Sequence, residues 1–155
     1  MFDVPVDAWY TWLGLSLASV ALFGVGASLP TAPPPAAADA ADTVDRAASA
    51  SAPVTAEHPL DARTVRIAPN RLGLRNDAGT THATFAFGPI TPVGPDGPLR
   101  TVLRGTHPSV LFESPTEFRQ AVVAARSQEP EWESSTKITV RGVSWDGYRV
   151  TLVGV

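Results

Sequence analysis

The most extended pattern in the chain is a run of uncharged residues near its N-terminus. From Trp9 to Leu29, 21 consecutive positions hold no Asp, Glu, Lys or Arg. A helix of about 20 apolar residues spans a hydrocarbon core of roughly 30 Å. The pattern therefore predicts a single transmembrane helix over residues 9–29, preceded by a tail over residues 1–8.

Two sets of side chains in this run suggest what the helix contacts. Amphipathic rings favour the headgroup layer of a bilayer, and the predicted interfacial anchors are Trp9, Tyr10 and Trp12. Small residues allow close approach between helices, and the predicted helix-packing positions are Gly14, Ala18 and Ala21. The expected partners are thus the lipid bilayer and, through this small-residue face, either a second copy or other membrane subunits.

The sequence indicates the existence of the helix more clearly than its processing or its orientation. The small residues Val25, Gly26 and Ala27 resemble a signal-peptide cleavage site, which is the alternative to an uncleaved anchor. Signal peptides begin with basic residues, whereas the tail carries Asp3 and Asp7, so we favour the anchor. We expect a cell-membrane protein whose C-terminal domain lies outside the cytoplasm.

Residues 30–56 form a stretch rich in Pro, Ala, Ser and Thr without large hydrophobic residues. Consecutive prolines favour a stiff polyproline II spacer, so this segment is predicted to be a linker. Within it, Ala36–Ser51 is compatible with a short solvated helix, because alanine is the best helix former.

From residue 57 to residue 155 the pattern changes to short alternating runs that are typical of strands. One amphipathic helix is expected over Pro115–Gln128, where Ser114 serves as N-cap and Glu117 completes a capping box. At the end of the chain, Asp146-Gly147 is a two-residue turn signal between two alternating runs. The predicted fold class is therefore α+β, with a small β-rich domain, one amphipathic helix and a C-terminal β-hairpin.

Composition changes this picture mainly by exclusion. The 155 residues include 12 basic and 15 acidic side chains and no cysteine, so the formal net charge is −3. A disulfide scaffold and cysteine-based metal or redox sites are therefore excluded. A strongly basic nucleic-acid-binding protein is disfavoured, and we expect no nucleic-acid partner.

Candidate catalytic chemistry is sparse. The three histidines do not have metal-ligand spacing, and two of them precede proline; they are His58, His82 and His107. Glu129, Glu131 and Glu133 alternate around Trp132 in what resembles a solvated loop. We therefore assign no catalytic, cofactor-binding or metal-binding residue and expect a protein that is not an enzyme and needs no cofactor.

The densest basic feature is a group of four arginines in the first strand-like runs of the domain. Anionic headgroups or an acidic partner are the ligands that such a group could contact. The alternative is a solvated surface that balances nearby acids. The candidate contact residues are Arg63, Arg66, Arg71 and Arg75.

Three strings carry a resemblance to a known group of proteins: MFDVPVDAWYTWLGLSLASVALFGVG, AADTVDRAA and RNDAGTTHATFAFGPITPV. They resemble an uncharacterised haloarchaeal family of membrane-anchored proteins associated with type IV pilus-like or secretion clusters. The resemblance implies a structural or accessory subunit of such an assembly. The alternative is a stand-alone, membrane-tethered, extracytoplasmic binding module.

Overall fold

A computed structural model describes residues 6–27 and 33–155 of the protein. Three segments of the sequence predictions lie outside the described residues. They are residues 1–5 of the tail, residues 28–29 of the predicted span and residues 30–32 of the predicted linker.

The chain divides into two units, Met1–Pro33 and Pro34–Val155. The first unit holds helix α1 (Val6–Ala27), and all its side chains that are described, at positions 9–21, are exposed. Two serine hydroxyl groups bond to their own helix: Ser16 Oγ donates to the Trp12 carbonyl at 2.9 Å and Ser19 Oγ to the Leu15 carbonyl at 2.8 Å.

The predicted transmembrane helix is not supported by this structure. Among the helices over residues 6–27 and 33–155, none combines the length and the hydropathy that crossing a bilayer requires. The prediction for residues 9–29 is therefore wrong. It counted the absence of charge, whereas insertion requires apolarity sustained over about 20 residues, and here hydroxyl, glycine and ring N–H or O–H groups interrupt the aliphatic side chains.

The second unit contains three further helices and eight strands among the residues described there. In chain order these are α2 (Ala37–Ser49), β1 (Thr55–Pro59), β2 (Thr64–Ala68), β3 (Arg71–Asn76), β4 (Gly79–Thr84), β5 (Thr91–Val93), α3 (Pro98–Leu103), α4 (Pro115–Arg126), β6 (Glu133–Ser134), β7 (Lys137–Trp145) and β8 (Tyr148–Gly154). A single 3₁₀ turn, Pro108–Val110, connects α3 to α4.

The strands form two four-stranded sheets. The first sheet has the order β1-β7-β8-β5, in which β5 runs parallel to β8 and the other pairs are antiparallel. The second sheet has the order β4-β3-β2-β6 and is antiparallel throughout. The α+β class is thus confirmed, but the described part of the second unit has two sheets and three helices where one amphipathic helix was predicted.

Two hydrophobic clusters hold these layers together. The central cluster lies between the sheets and includes Leu72 and Leu74 of the second sheet with Ile138 and Val140 of the first. The lateral cluster lies on the opposite face of the first sheet, where Phe118 of α4 packs with the side chains of α3. The first sheet is therefore covered on both faces, whereas no hydrophobic cluster of the described residues covers the second face of the second sheet.

Helix α2 corrects the prediction of a linker over residues 30–56. Its positions Ala37, Ala40, Val44 and Ala47 are buried in the central cluster, so the helix packs rather than stands in solvent. Their spacings of three, four and three residues give one continuous face, and alanine side chains let the helix approach the sheets closely. The Ala47 carbonyl oxygen lies 3.5 Å from the position that a Cβ on Gly142 would occupy.

Two elements of the domain agree with their sequence signals, although the predicted capping box differs in one bond: the Glu117 carboxylate accepts from the Glu113 backbone N–H at 2.7 Å rather than from Ser114. Helix α4 begins after Ser114, whose Oγ accepts a hydrogen bond from the Glu117 backbone N–H at 3.2 Å. Strands β7 and β8 form the predicted hairpin, and both turn residues have positive φ, 49° at Asp146 and 73° at Gly147. Positive φ at both positions is the requirement of a type I′ turn.

Candidate interaction surface

The outer face of the second sheet carries a group of cationic and aromatic side chains. Side chains alternate between the two faces of a strand. Because Leu72 and Leu74 point into the central cluster, their neighbours on β3 point outward. Pairing between the strands then determines which residues surround one another on that outer face.

Gly73 lies at the centre of this face. It pairs with Arg66 of β2 on one side and with His82 of β4 on the other. Arg71 and Arg75 lie two residues away on β3 itself, so their side chains leave the sheet on the same face. We name this arrangement the cationic face, and its members are Arg66, Arg71, Gly73, Arg75, His82 and Trp132.

Trp132 reaches the face from the residue before β6. Thr64 pairs with Ser134 and Val65 with Glu133, so the same register places Trp132 opposite Arg66. A Cβ on Gly73 would lie 3.1 Å from Trp132 Cη2 and 2.9 Å from His82 Nδ1. The glycine is therefore required for the indole and the imidazole to lie this close to the strand.

Two arginines stack on the indole ring. Arg75 Cζ lies 4.1 Å from the centroid of the Trp132 ring, and Arg66 Cζ lies 5.4 Å from it. Arg75 Nε also donates a hydrogen bond to Thr80 Oγ1 at 3.3 Å. Each such cation–π contact contributes about 0.5–1 kcal/mol at an exposed site, so the ring limits the freedom of two otherwise flexible guanidinium groups.

The charge of the cationic face is not balanced by ion pairs. Within residues 33–155, the salt bridges shorter than 4.0 Å join Arg63 to Asp77 at 2.6 Å and Lys137 to Glu57 at 2.9 Å. Neither includes Arg66, Arg71 or Arg75. Asp42 of α2 lines an adjacent groove together with Arg71 and His82, but its carboxylate is not within that distance of a guanidinium group.

The sequence had grouped four arginines, and the structure brings three of them together. Three of the arginines, Arg66, Arg71 and Arg75, lie on the cationic face. Arg63 is the residue before β2 and forms an ion pair with Asp77. Sequence reasoning missed Trp132, which it placed in a solvated loop. The available signal was Gly73 between two buried leucines, because glycine inside a strand marks the close approach of another group.

The glutamates around Trp132 in the sequence do not lie on the cationic face. Glu129, Glu131 and Glu133 line a cavity of about 410 Å³ together with Ile67 and residues of β5 and α4. Alternation along the extended segment thus places Trp132 on one side and its two neighbouring glutamates on the other.

The other two histidines of the sequence analysis lie within hydrogen-bond distance of hydroxyl groups. His58 Nδ1 lies 3.0 Å from Thr43 Oγ1, and His107 Nδ1 lies 2.8 Å from Ser109 Oγ. No group of three or more His, Cys, Asp or Glu side chains suited to a metal ion occurs in the part of the chain that the structure describes.

On α1, the three aromatic residues of the predicted interfacial group are 62–69% exposed. They are Trp9, Tyr10 and Trp12. The small-residue positions Gly14, Ala18 and Ala21 are exposed too, and a Cβ on Gly14 would meet no atom within 4 Å.

Two packed sheets, three helices and a candidate interaction surface of arginines beside an indole characterise the second unit as a small α+β domain. The chain belongs to the family of unknown function DUF7283, whose family model matches residues 3–143. No curated protein and no solved structure matches the chain.

Proposed function

We propose that the protein is a non-enzymatic structural or accessory subunit of a pilus-like or secretion assembly of a haloarchaeal cell, with its second unit displayed outside the cytoplasm. Helix α1 makes the contact with the other subunits. The observation that carries the proposal is the exposure of this helix: residues 9–21 are uncharged, and Leu13, Leu15, Leu17 and Val20 are 48–71% exposed.

A helix with exposed aliphatic side chains gains free energy when another chain covers them. Fully burying one large aliphatic side chain contributes about 1.5–3 kcal/mol, so four such residues provide a substantial driving force for association. Gly14, Ala18 and Ala21 share one side of α1, where a neighbouring helix could approach closely. The resemblance of the N-terminal string to haloarchaeal pilus-cluster proteins supports the same function.

Site-specific photocrosslinking in the native host tests this proposal. A photoreactive amino acid is placed in the full chain at Ala18 or, as a matched control, at Ser16 on the opposite side of α1. We expect adducts of defined mass from position 18 that contain assembly subunits or a second copy, and weaker ones from position 16. Adducts to lipid alone, or no protein adduct from either position, would contradict the proposal.

The second candidate function is a stand-alone binding module, and the cationic face is the observation that favours it. Replacing Leu13 and Leu17 with serine in the full chain separates the two functions. A subunit held by α1 loses its partners in this variant, whereas a binding module still captures its ligand through the second unit.

A further inference from the structure

The cationic face has the chemistry of a site for carboxylate groups. We propose that it binds an acidic polypeptide segment, whose carboxylates pair with the guanidinium groups of Arg66, Arg71 and Arg75. This inference goes beyond the association through α1 and stands without it.

The first argument is the unbalanced charge. Arg71 and Arg75 flank Gly73 on one strand, and Arg66 is a diagonal neighbour of both because it pairs with Gly73. Like charges directly opposite one another destabilise a sheet, and diagonal positions are still within reach of long side chains such as arginine. No described carboxylate lies within 4.0 Å of these three groups, so an acidic ligand would remove a repulsion that the folded chain itself retains.

The second argument is the restricted position of the guanidinium groups. Arg75 Cζ lies over the Trp132 ring, 4.1 Å from its centroid. The hydrogen-bond donors of a guanidinium point outward in its plane, where a carboxylate accepts two parallel bonds. The indole therefore holds the donor fork in place and reduces the entropy that binding would otherwise cost.

The third argument distinguishes a polypeptide from a nucleic acid. Proteins that bind single strands offer free aromatic faces on which bases stack. On the cationic face, the Trp132 ring is already contacted by two arginines and lies against Gly73. Trp132 and Arg66 are half-buried, whereas Arg71 and Arg75 are exposed. A surface that presents guanidinium groups more openly than its aromatic ring fits carboxylates better than bases.

The experiment measures binding of a fluorescent oligoglutamate peptide to the full chain by anisotropy. The double variant Arg66→Gln/Arg75→Gln removes two donor forks, and Arg104→Gln/Arg119→Gln removes the same charge from exposed positions outside the face. We expect the first variant to lose about tenfold or more in affinity, as the loss of charge-assisted hydrogen bonds implies, and the control to stay close to the parent protein.

A third variant, Arg66→Lys/Arg75→Lys, keeps the charge but removes the fork and the stacked geometry. We expect it to bind several times more weakly than the parent chain. Equal affinity of the lysine variant would overturn the role of oriented guanidinium groups. Absence of peptide binding by the parent chain, or displacement of the peptide by oligothymidylate at lower concentration than by unlabelled oligoglutamate, would overturn the proposal itself.

Discussion

Replacing Val44 with alanine tests whether α2 is a structural part of the second unit. Val44 is 0% exposed and lies in the central cluster together with Leu72 and Ile138. The substitution removes two buried carbon atoms, each with a transfer free energy of about 0.8 kcal/mol, and leaves a small cavity. We therefore expect the free energy of unfolding to fall by about 2 kcal/mol.

Thermal unfolding of the full chain, followed by near-ultraviolet circular dichroism, measures this loss. Near-ultraviolet signals report the fixed packing of aromatic side chains, and Phe118, Trp145 and Tyr148 of the lateral cluster supply them. For a domain of this size, a loss of about 2 kcal/mol lowers Tm by roughly 8 °C. The signal also distinguishes unfolding of the second unit from local melting of α1.

Val123→Ala is the matched control for this substitution. Val123 is 56% exposed on α4, so the same two carbons are removed from a helix without loss of burial. The helix propensity changes equally at both positions, and we expect Val123→Ala to stay within about 0.5 kcal/mol of the parent chain. If Val44→Ala destabilises no more than Val123→Ala, then α2 is not packed as described and its residues behave as the linker that composition suggested.

Three further substitutions test single contacts by the same unfolding measurement. Ser114→Ala removes the N-cap of α4 and should cost about 1 kcal/mol; an unchanged Tm would exclude the cap. Gly154→Ala places a Cβ within 3.0 Å of three neighbouring atoms and should cost about 1–3 kcal/mol, whereas Gly94→Ala, with open space around it, should cost little. Asp45→Ala removes a carboxylate that accepts from two backbone N–H groups at 3.0 Å and should cost about 2 kcal/mol, against a smaller effect of the exposed Asp42→Ala; equal losses would refute the role of the carboxylate.

The parts of the fold that the sequence predicted are those determined by local chemistry. The Asp146-Gly147 turn requires positive φ at both positions, which selects these residue types directly. Helix α4 begins at a cap that uses one hydroxyl and one backbone N–H three residues apart. Such signals involve residues that are close in sequence, so they can be recognised without knowledge of the tertiary structure.

The mistaken predictions concern segments whose state depends on distant partners. Helix α2 has Val44 as its one sizeable apolar residue. Its alanines therefore suggest a solvated segment in the sequence, although in the fold they pack in the central cluster. For residues 9–29, counting uncharged positions overestimated apolarity. Composition gives the apolar area that a segment could bury. Whether that area is buried depends on which other elements of the fold lie against it.

The cationic face could not be found from sequence for a related reason. Trp132 is separated from Gly73 by 59 positions, and only the pairing of β2 with β6 brings them together. Along the chain, Trp132 belongs to an acidic run, and alternation in an extended segment turns that tryptophan away from the carboxylates beside it. Because strand register decides which charges share a surface, a chain with net charge −3 presents a local group of arginines that form no ion pair with a described residue. The net charge of this protein therefore does not indicate which ligand charge the cationic face favours, and its glutamine and lysine variants test the proposed acidic ligand directly.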